Sequence, residues 1–293
     1  VQPTETEVTA TAAPALTLRL TEHGDRASRT HVVLLHGYPD DRTLWDDVVP
    51  RLPTDWHLVV PDMRGAGRSD VPTEPAAYDV ALLVEDVVAV VEATVPDGQA
   101  FHLVGHDWGA IIGWDVVAAA TRDPRLRDRL VSFTSVSGFP LDHLYARLAD
   151  GPHRLALLPQ LLHSWYAYVF CLPRVPEWLW GRGQSVLRRL GERLDPTSHL
   201  LAWGPDLGRA ALPGLSLYRQ NLRRRPAAWR TDVPVLVVLG RHDTFIHPVS
   251  LDGLGARCSD VVRVRLETGH WVPRSQPERL AGLVTDHVRA HGG

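Results

Sequence analysis

The 293-residue chain contains no lysine; all 31 basic residues are arginine, a bias that either a GC-rich genome or selection for stability produces. Cysteine is nearly absent too. Cys171 and Cys258 stand far apart, which argues against a disulfide framework or a cysteine-based metal site and points to a reduced, cytoplasmic setting. Neither HExxH nor a paired CxxC occurs, so there is no metal-ligand motif. No apolar run is long enough to span a bilayer, and the longest candidate is broken by Glu85 and Asp86. The formal net charge is only −3, so the chain as a whole sets up no strong field toward nucleic acid or an anionic membrane. Val1 to Ala15, rich in Thr, Ala and Pro, lacks the basic and apolar regions of a signal peptide, and a mobile tail is expected over 1–15. There is no internal repeat or low-complexity linker, and 44% apolar residues suffice for one sizeable core.

Short apolar runs alternate with helical periodicity. Strands are expected at Leu16–Leu20, His31–Leu35, Trp56–Val60, Phe101–Val104, Leu130–Val136, Val233–Leu239 and Val261–Leu266. Leu44, Trp45, Val48, Val49 and Leu52 recur at helical spacing, as do Val80, Leu83, Val84, Val87, Val88 and Val91 behind Asp79, a suitable N-cap. A last helix is expected from near Pro277. Such alternation calls for a mostly parallel sheet covered on both faces. From 139 to 230 no strand pattern is visible. That segment, rich in Trp, Arg, Leu and Pro, reads as short helices forming a cap (lid) inserted into a core of 16–138 and 231–293. Ligands bind at the carboxyl ends of parallel strands, so the insertion is expected to roof the site.

Gly105-His106-Asp107-Trp108-Gly109 lies between an apolar strand and a helix that reads as buried. This is the layout of a nucleophile elbow, in which Gly105 and Gly109 flank a residue held in a strained conformation. Serine is the usual nucleophile; here the position carries Asp107. A carboxylate needs no base to attack carbon, but the ester it forms must then be hydrolysed. Asp243 and His270 each follow a later strand, and nucleophile, acid and histidine occur in the order of α/β-hydrolases. His270 is the candidate base that deprotonates water, with Asp243 orienting it. His36-Gly37-Tyr38-Pro39 follows the second strand. In such a fold, the backbone N–H groups of Tyr38 and Trp108 are the candidate oxyanion hole. His57 and His102 read as packing residues and His106 as structural. Arg64-Gly65-Ala66-Gly67 lacks a phosphate-loop signature and reads as a turn.

Together, His36-Gly37-Tyr38-Pro39, the stretch Asp62 to Asp70, Gly105 to Gly109, Asp243 and Gly269-His270-Trp271 resemble the α/β-hydrolase-fold epoxide hydrolases. The resemblance covers nearly the whole chain after the first fifteen residues. It implies an α/β-hydrolase fold with a helical cap after the sixth core strand, and conversion of an epoxide and water to a vicinal diol through an Asp107 ester. It implies no cofactor or metal, and a small apolar or aromatic epoxide as substrate. It also implies two cap tyrosines that hydrogen-bond the epoxide oxygen. Tyr218, before Arg219, is similar to the second of these. Tyr166 is similar to the first, with Tyr168 its competitor. Haloalkane dehalogenases share the fold and the Asp nucleophile. Many place Asn where this chain has Tyr38, but Trp165, Trp178, Trp180 and Trp203 leave a halide-binding tryptophan open. A non-catalytic binding protein that keeps the fold is the third reading, opposed by the complete set Asp107, Asp243 and His270. The cap departs from familiar members in its arginines, notably Arg223-Arg224-Arg225.

Overall fold

The computed structural model describes residues 3–11, 15–151, 154–201, 203–222, 224 and 226–292. Eight strands form one sheet: β1 (Thr4–Ala10), β2 (Leu16–His23), β3 (His31–Leu35), β4 (His57–Pro61), β5 (Phe101–His106), β6 (Leu130–Val136), β7 (Val235–Gly240) and β8 (Val261–Leu266). Their spatial order is β1-β2-β4-β3-β5-β6-β7-β8. The six strands from β4 to β8 run parallel, and β1 and β2 pair antiparallel at one edge. The order reverses between β3 and β5. Chains leaving that point turn to opposite faces and open a crevice at the carboxyl edge.

The helices are α1 (Val80–Thr94), α2 (Trp108–Ala120), α3 (Leu141–Ala149), α4 (Leu158–His163), α5 (Trp165–Cys171), α6 (Val175–Gly181), α7 (Gln184–Leu194), α8 (Pro205–Asn221), α9 (Val272–Ser275) and α10 (Pro277–His291). The Asp79 carboxylate caps α1 by accepting from the Ala81 N–H. Helix α2 buries Trp108, Ile112, Trp114 and Val117 because it lies directly on β5 and β6. Between β6 and β7 the described residues form α3 to α8 and a short 3-10 turn, with no strand. No helix among the described residues is long and apolar enough to cross a membrane.

Two expectations are corrected. Thr4–Ala10 is not a mobile tail: it forms β1, paired with β2 from Thr4 against Glu22 to Ala10 against Leu16. Alternation drives this, since Val8 and Ala10 are buried while their neighbours face outward. Val1, Gln2 and residues 12–14 lie outside the described residues, as do Arg223 and Arg225. The periodic stretch Leu44–Leu52 is two 3-10 turns, Arg42–Trp45 and Val49–Arg51, not one helix. Pro50 at the start of the second turn cannot donate the hydrogen bond that would join them.

The turn after β4 serves structure. Arg64 is buried and donates to both oxygens of Asp86 on α1 at 2.5 and 2.6 Å, and to the carbonyls of Ala77 and Leu82. Gly67 has φ +54° and sits where a Cβ would strike the Asp62 carboxylate. Removing one partner of a buried pair strands the other charge, so Arg64→Ala should lower unfolding free energy by ~3–5 kcal/mol in urea titration.

Candidate active site

The crevice at the sheet reversal is built around Asp107. It follows β5 with φ 52° and ψ −118°, a conformation few non-glycine residues adopt. The strain is held by backbone on both sides. The Asp107 N–H donates to the Val136 carbonyl, and its carbonyl accepts from Ile111. Glycine is required around it. A Cβ on Gly105 would lie 2.3 Å from the Gly109 carbonyl, one on Gly109 2.3 Å from the Leu35 carbonyl, and one on Gly37 2.5 Å from the Asp107 side chain.

The two carboxylate oxygens of Asp107 have different environments. Oδ1 accepts from the Tyr38 N–H at 2.7 Å. Oδ2 lies 3.5 Å from His270 Nε2. His270 Nδ1 is 3.0 Å from Asp243 Oδ2, and Asp243 Oδ1 accepts from the Phe245 and Ile246 N–H groups at 2.9 Å each. The geometry thus brings Asp107, His270 and Asp243 into one buried line. Burial would raise the Asp243 pKa, but the His270 charge, its hydrogen bond and the two amides outweigh it, so the group lies below its ordinary value. Burial would likewise lower that of His270, but Asp243 and Asp107 reverse the balance and hold the imidazole well above its ordinary value.

The loops around this line are cross-tied. His36 Nε2 accepts from the Met63 N–H at 2.9 Å, so its proton sits on Nδ1, which donates to the Gly37 carbonyl. Pro39 follows a cis peptide and leads to Asp40, which accepts from Trp271 Nε1 and from the Arg274 guanidinium. His106 Nε2 and Ser137 Oγ both donate to the His270 carbonyl, at 3.0 and 3.1 Å. Burial and the neighbouring His270 push His106 down to about 4, so it stays neutral.

A cavity of about 180 Å³ opens above Asp107 and His270 and is overwhelmingly apolar. Tyr166 from α5 and Tyr218 from α8 line it. Their rings lie 5.9 Å apart; Tyr166 also packs on Phe245 at 5.1 Å, and Tyr218 on Trp108 at 5.2 Å. Burial raises both phenols well above their ordinary range, helped at Tyr166 by the Asp107 charge and at Tyr218 by Tyr166 and then Asp107. Tyr168 is 54% exposed and lines a separate hollow behind the tyrosine pair. Of the four tryptophans singled out between β6 and β7, Trp165, Trp180 and Trp203 reach the cavity and Trp178 does not. The Trp203 indole N–H is taken by the Ser198 carbonyl, whereas that of Trp180 is buried, faces the Tyr38 hydroxyl and makes no hydrogen bond of good geometry among the described residues.

Sequence reasoning missed three buried side chains of the helical segment that grip the loops of the line. Asp195, just after α7, accepts the His270 N–H at 2.9 Å and the Thr197 N–H at 2.8 Å, while Thr197 Oγ1 accepts the Trp271 N–H. Gln160 on α4 donates to the Phe245 carbonyl and accepts from the His247 N–H. Asp195-Pro196-Thr197 is legible as an Asx turn, but nothing local names its distant partner.

The family described as the alpha/beta hydrolase fold matches residues 30–273. Among curated proteins, the probable oxidoreductase EphD of Mycobacterium tuberculosis is 33% identical over 274 residues, 87% of this chain and 45% of that protein. The chain therefore spans about half the length of that relative. Epoxide hydrolase 4 of Mus musculus is 25% identical over 270 residues, 86% of this chain and 71% of that protein. Among solved structures, epoxide hydrolase A of Mycobacterium thermoresistibile is 25% identical and superposes with a TM-score of 0.76 over 98% of both chains. An inhibitor-bound epoxide hydrolase of Bacillus megaterium, at 23% identity, gives the same TM-score over 98% of this chain and 100% of that one, a likeness of fold alone.

Asp195→Ala leaves the His270 and Thr197 amides without acceptors, and a buried unsatisfied donor costs about 1–3 kcal/mol. Thermal unfolding should fall accordingly, with Asp195→Asn, which keeps an acceptor oxygen, retaining much of the stability.

Proposed function

The chain belongs to the α/β hydrolase fold family, and from that premise we propose that it is an epoxide hydrolase, with 139–230 as the lid over its site. The observation that carries this reading is the pair of phenols, half-buried Tyr166 and buried Tyr218, lining the same apolar cavity as the carboxylate of Asp107. An epoxide oxygen leaves as a poor alkoxide unless it is hydrogen-bonded or protonated. Phenols whose pKa values are raised remain protonated donors at neutral pH.

Asp107 Oδ2 attacks an epoxide carbon from the face opposite the C–O bond. That bond breaks, its electrons pass to oxygen, and the tyrosines supply the hydrogen bond or proton. The product is an alkyl ester of Asp107. The other oxygen, Oδ1, becomes the ester carbonyl and already sits on the Tyr38 N–H. Trp108 is the first residue of α2, so its amide has no acceptor within the helix and is the natural second donor. His270 then deprotonates water, which attacks the ester carbon. The acyl C–O bond breaks, the departing diol oxygen takes the proton of the new carboxyl group, and Asp107 returns as a carboxylate beside protonated His270.

The charge balance around His270 suits this order. In the free enzyme two carboxylates hold it protonated. Forming the ester neutralises Asp107 and removes one of them, so the imidazole pKa falls; the proton it gives up replaces the one the tyrosines pass to the epoxide oxygen, and a base emerges when water must be activated. Asp243 keeps the proton on Nδ1 and leaves Nε2 free. Cysteine is limited to Cys171 and Cys258, which fits a reduced, cytoplasmic setting for this reaction. The cavity lining fits an apolar or aromatic epoxide.

Purified protein offered aryl and alkyl epoxides beside brominated alkanes should yield diol and no bromide; bromide without diol would transfer the site to dehalogenation, with Trp180 as the halide donor to test. Asp107→Ala should abolish turnover, and His270→Ala should trap a species heavier by the mass of the epoxide. Replacing both Tyr166 and Tyr218 by Phe should slow ring opening by ~10²–10⁴-fold, the usual range for a positioned acid. As pH falls through the pKa of His270 in the ester state, the base is lost. The wild-type ester should then accumulate in acid, as rapid-quench mass spectrometry would read.

A further inference from the structure

The lid carries a surface that ester chemistry does not require. Of thirteen large apolar side chains exposed among the described residues, eleven lie between Leu155 and Leu194, and only Val71 and Val262 lie elsewhere. They form two stripes. Leu158, Leu162, Trp165, Tyr168 and Leu172 follow one another along α4 and α5, with Leu155 80% exposed ahead of them. Helix α7 has no buried residue at all; Val186, Leu190 and Leu194 repeat every four residues along one side. Arg188, Arg189 and Arg193, all exposed, share the rest of its circumference with Glu192, which pairs with Arg188 at 2.7 Å and leaves an excess of two positive charges. An amphipathic helix with aliphatic residues on one side and arginine on the other is the form that lies in a membrane interface. Trp165, Tyr168 and Trp178 add the aromatic side chains that favour that depth.

Charge is segregated to match. Residues 139–230 hold thirteen arginines and six carboxylates, whereas the remaining 201 residues hold eighteen arginines and 28 carboxylates. The net charge of −3 therefore conceals a basic lid on an acidic core. The apolar stripes also reach the cavity: Trp165, Val186, Leu190 and Leu194 are at once exposed and part of its lining, so they form its mouth.

We propose that the arginine-fringed apolar face of the lid docks on an anionic lipid surface, with the cavity mouth turned toward the bilayer, so that a membrane-dissolved apolar epoxide enters without crossing water. The choice of epoxide rests on the function proposed above; the docking does not. Charge selects lipid over a second copy of the chain, because a two-fold dimer through this face would set one basic lid against another. It also makes the attachment reversible by salt, since exposed charges are screened beyond about 8 Å at physiological ionic strength and about 3 Å at 1 M.

The test is sedimentation of the intact protein with phosphatidylglycerol vesicles and, separately, phosphatidylcholine vesicles. Partition onto phosphatidylglycerol should exceed that onto phosphatidylcholine at least ten-fold and fall at 1 M NaCl. A triple variant, Leu155→Ser, Leu162→Ser and Trp178→Ser, alters side chains outside the cavity lining. It should lose vesicle binding at least ten-fold while turning over a water-soluble epoxide as the parent does. Arg189→Glu with Arg193→Glu should abolish the preference for anionic lipid with the apolar stripes intact. Equal partition onto both lipids, or unchanged binding by both variants, overturns the proposal. So does sedimentation equilibrium showing a dimer that the triple variant splits. Vesicle binding by a protein that turns over no epoxide would sustain the docking and refute the catalytic reading.

Discussion

The site depends on three stretches of backbone meeting with no side chain between them. Gly37 after β3, Gly105 at the end of β5 and Gly109 in the first turn of α2 converge on Asp107, and a Cβ at any of them would overlap a neighbour. That closeness seats the carboxylate on the Tyr38 amide and forces the strained turn that lifts it out of the sheet. The strain persists because the sheet over-determines it: β5 is hydrogen-bonded on both sides, to β3 and to β6. It also lies at the reversal of strand order, where a crevice must open.

Around that point the fold balances charges in a buried volume. His270 sits between two carboxylates, and its state follows whichever remains ionised. Its loop is held from several directions. His106 and Ser137 take its carbonyl from the sheet side, and Asp195 takes its amide from the helical segment between β6 and β7. Gln160 grips the loop that bears the amides donating to Asp243. The helical segment is thus more than a cover. By bonding both loops, it couples its own seating to the alignment of His270 and Asp243. A lid that also met a bilayer would tie that alignment to the surface that delivers the substrate.

Such coupling gives the composition a sense that whole-chain totals hide. A small net charge is compatible with a strongly polarised molecule when basic and acidic residues fall in different parts of the fold. Exposed aromatic and aliphatic residues take on meaning only when they are contiguous, as along α4, α5 and α7.

Much of this was legible in sequence. The alternation of strand and helix and the glycine-flanked Asp107 are local signals, because strand period and turn sterics act over a few residues, and the chain order Asp107, Asp243, His270 is read along the sequence itself. The lesser features failed for equally physical reasons. Thr4–Ala10 has the composition of a tail, and its alternation yields a strand where β2 offers an edge to pair with. Leu44–Leu52 keeps helical spacing but loses continuity at Pro50. Tyr166 and Tyr168 are indistinguishable as letters two residues apart, and α5 turns one to the cavity and the other to solvent. Asp195, 75 residues from His270, carries no motif that names its partner. The sequence by itself determined the order of elements and the kinds of side chain available at strand ends. Only tertiary structure decided which distant polar groups would be buried together, because that depends on loop closure and packing, which no local pattern encodes.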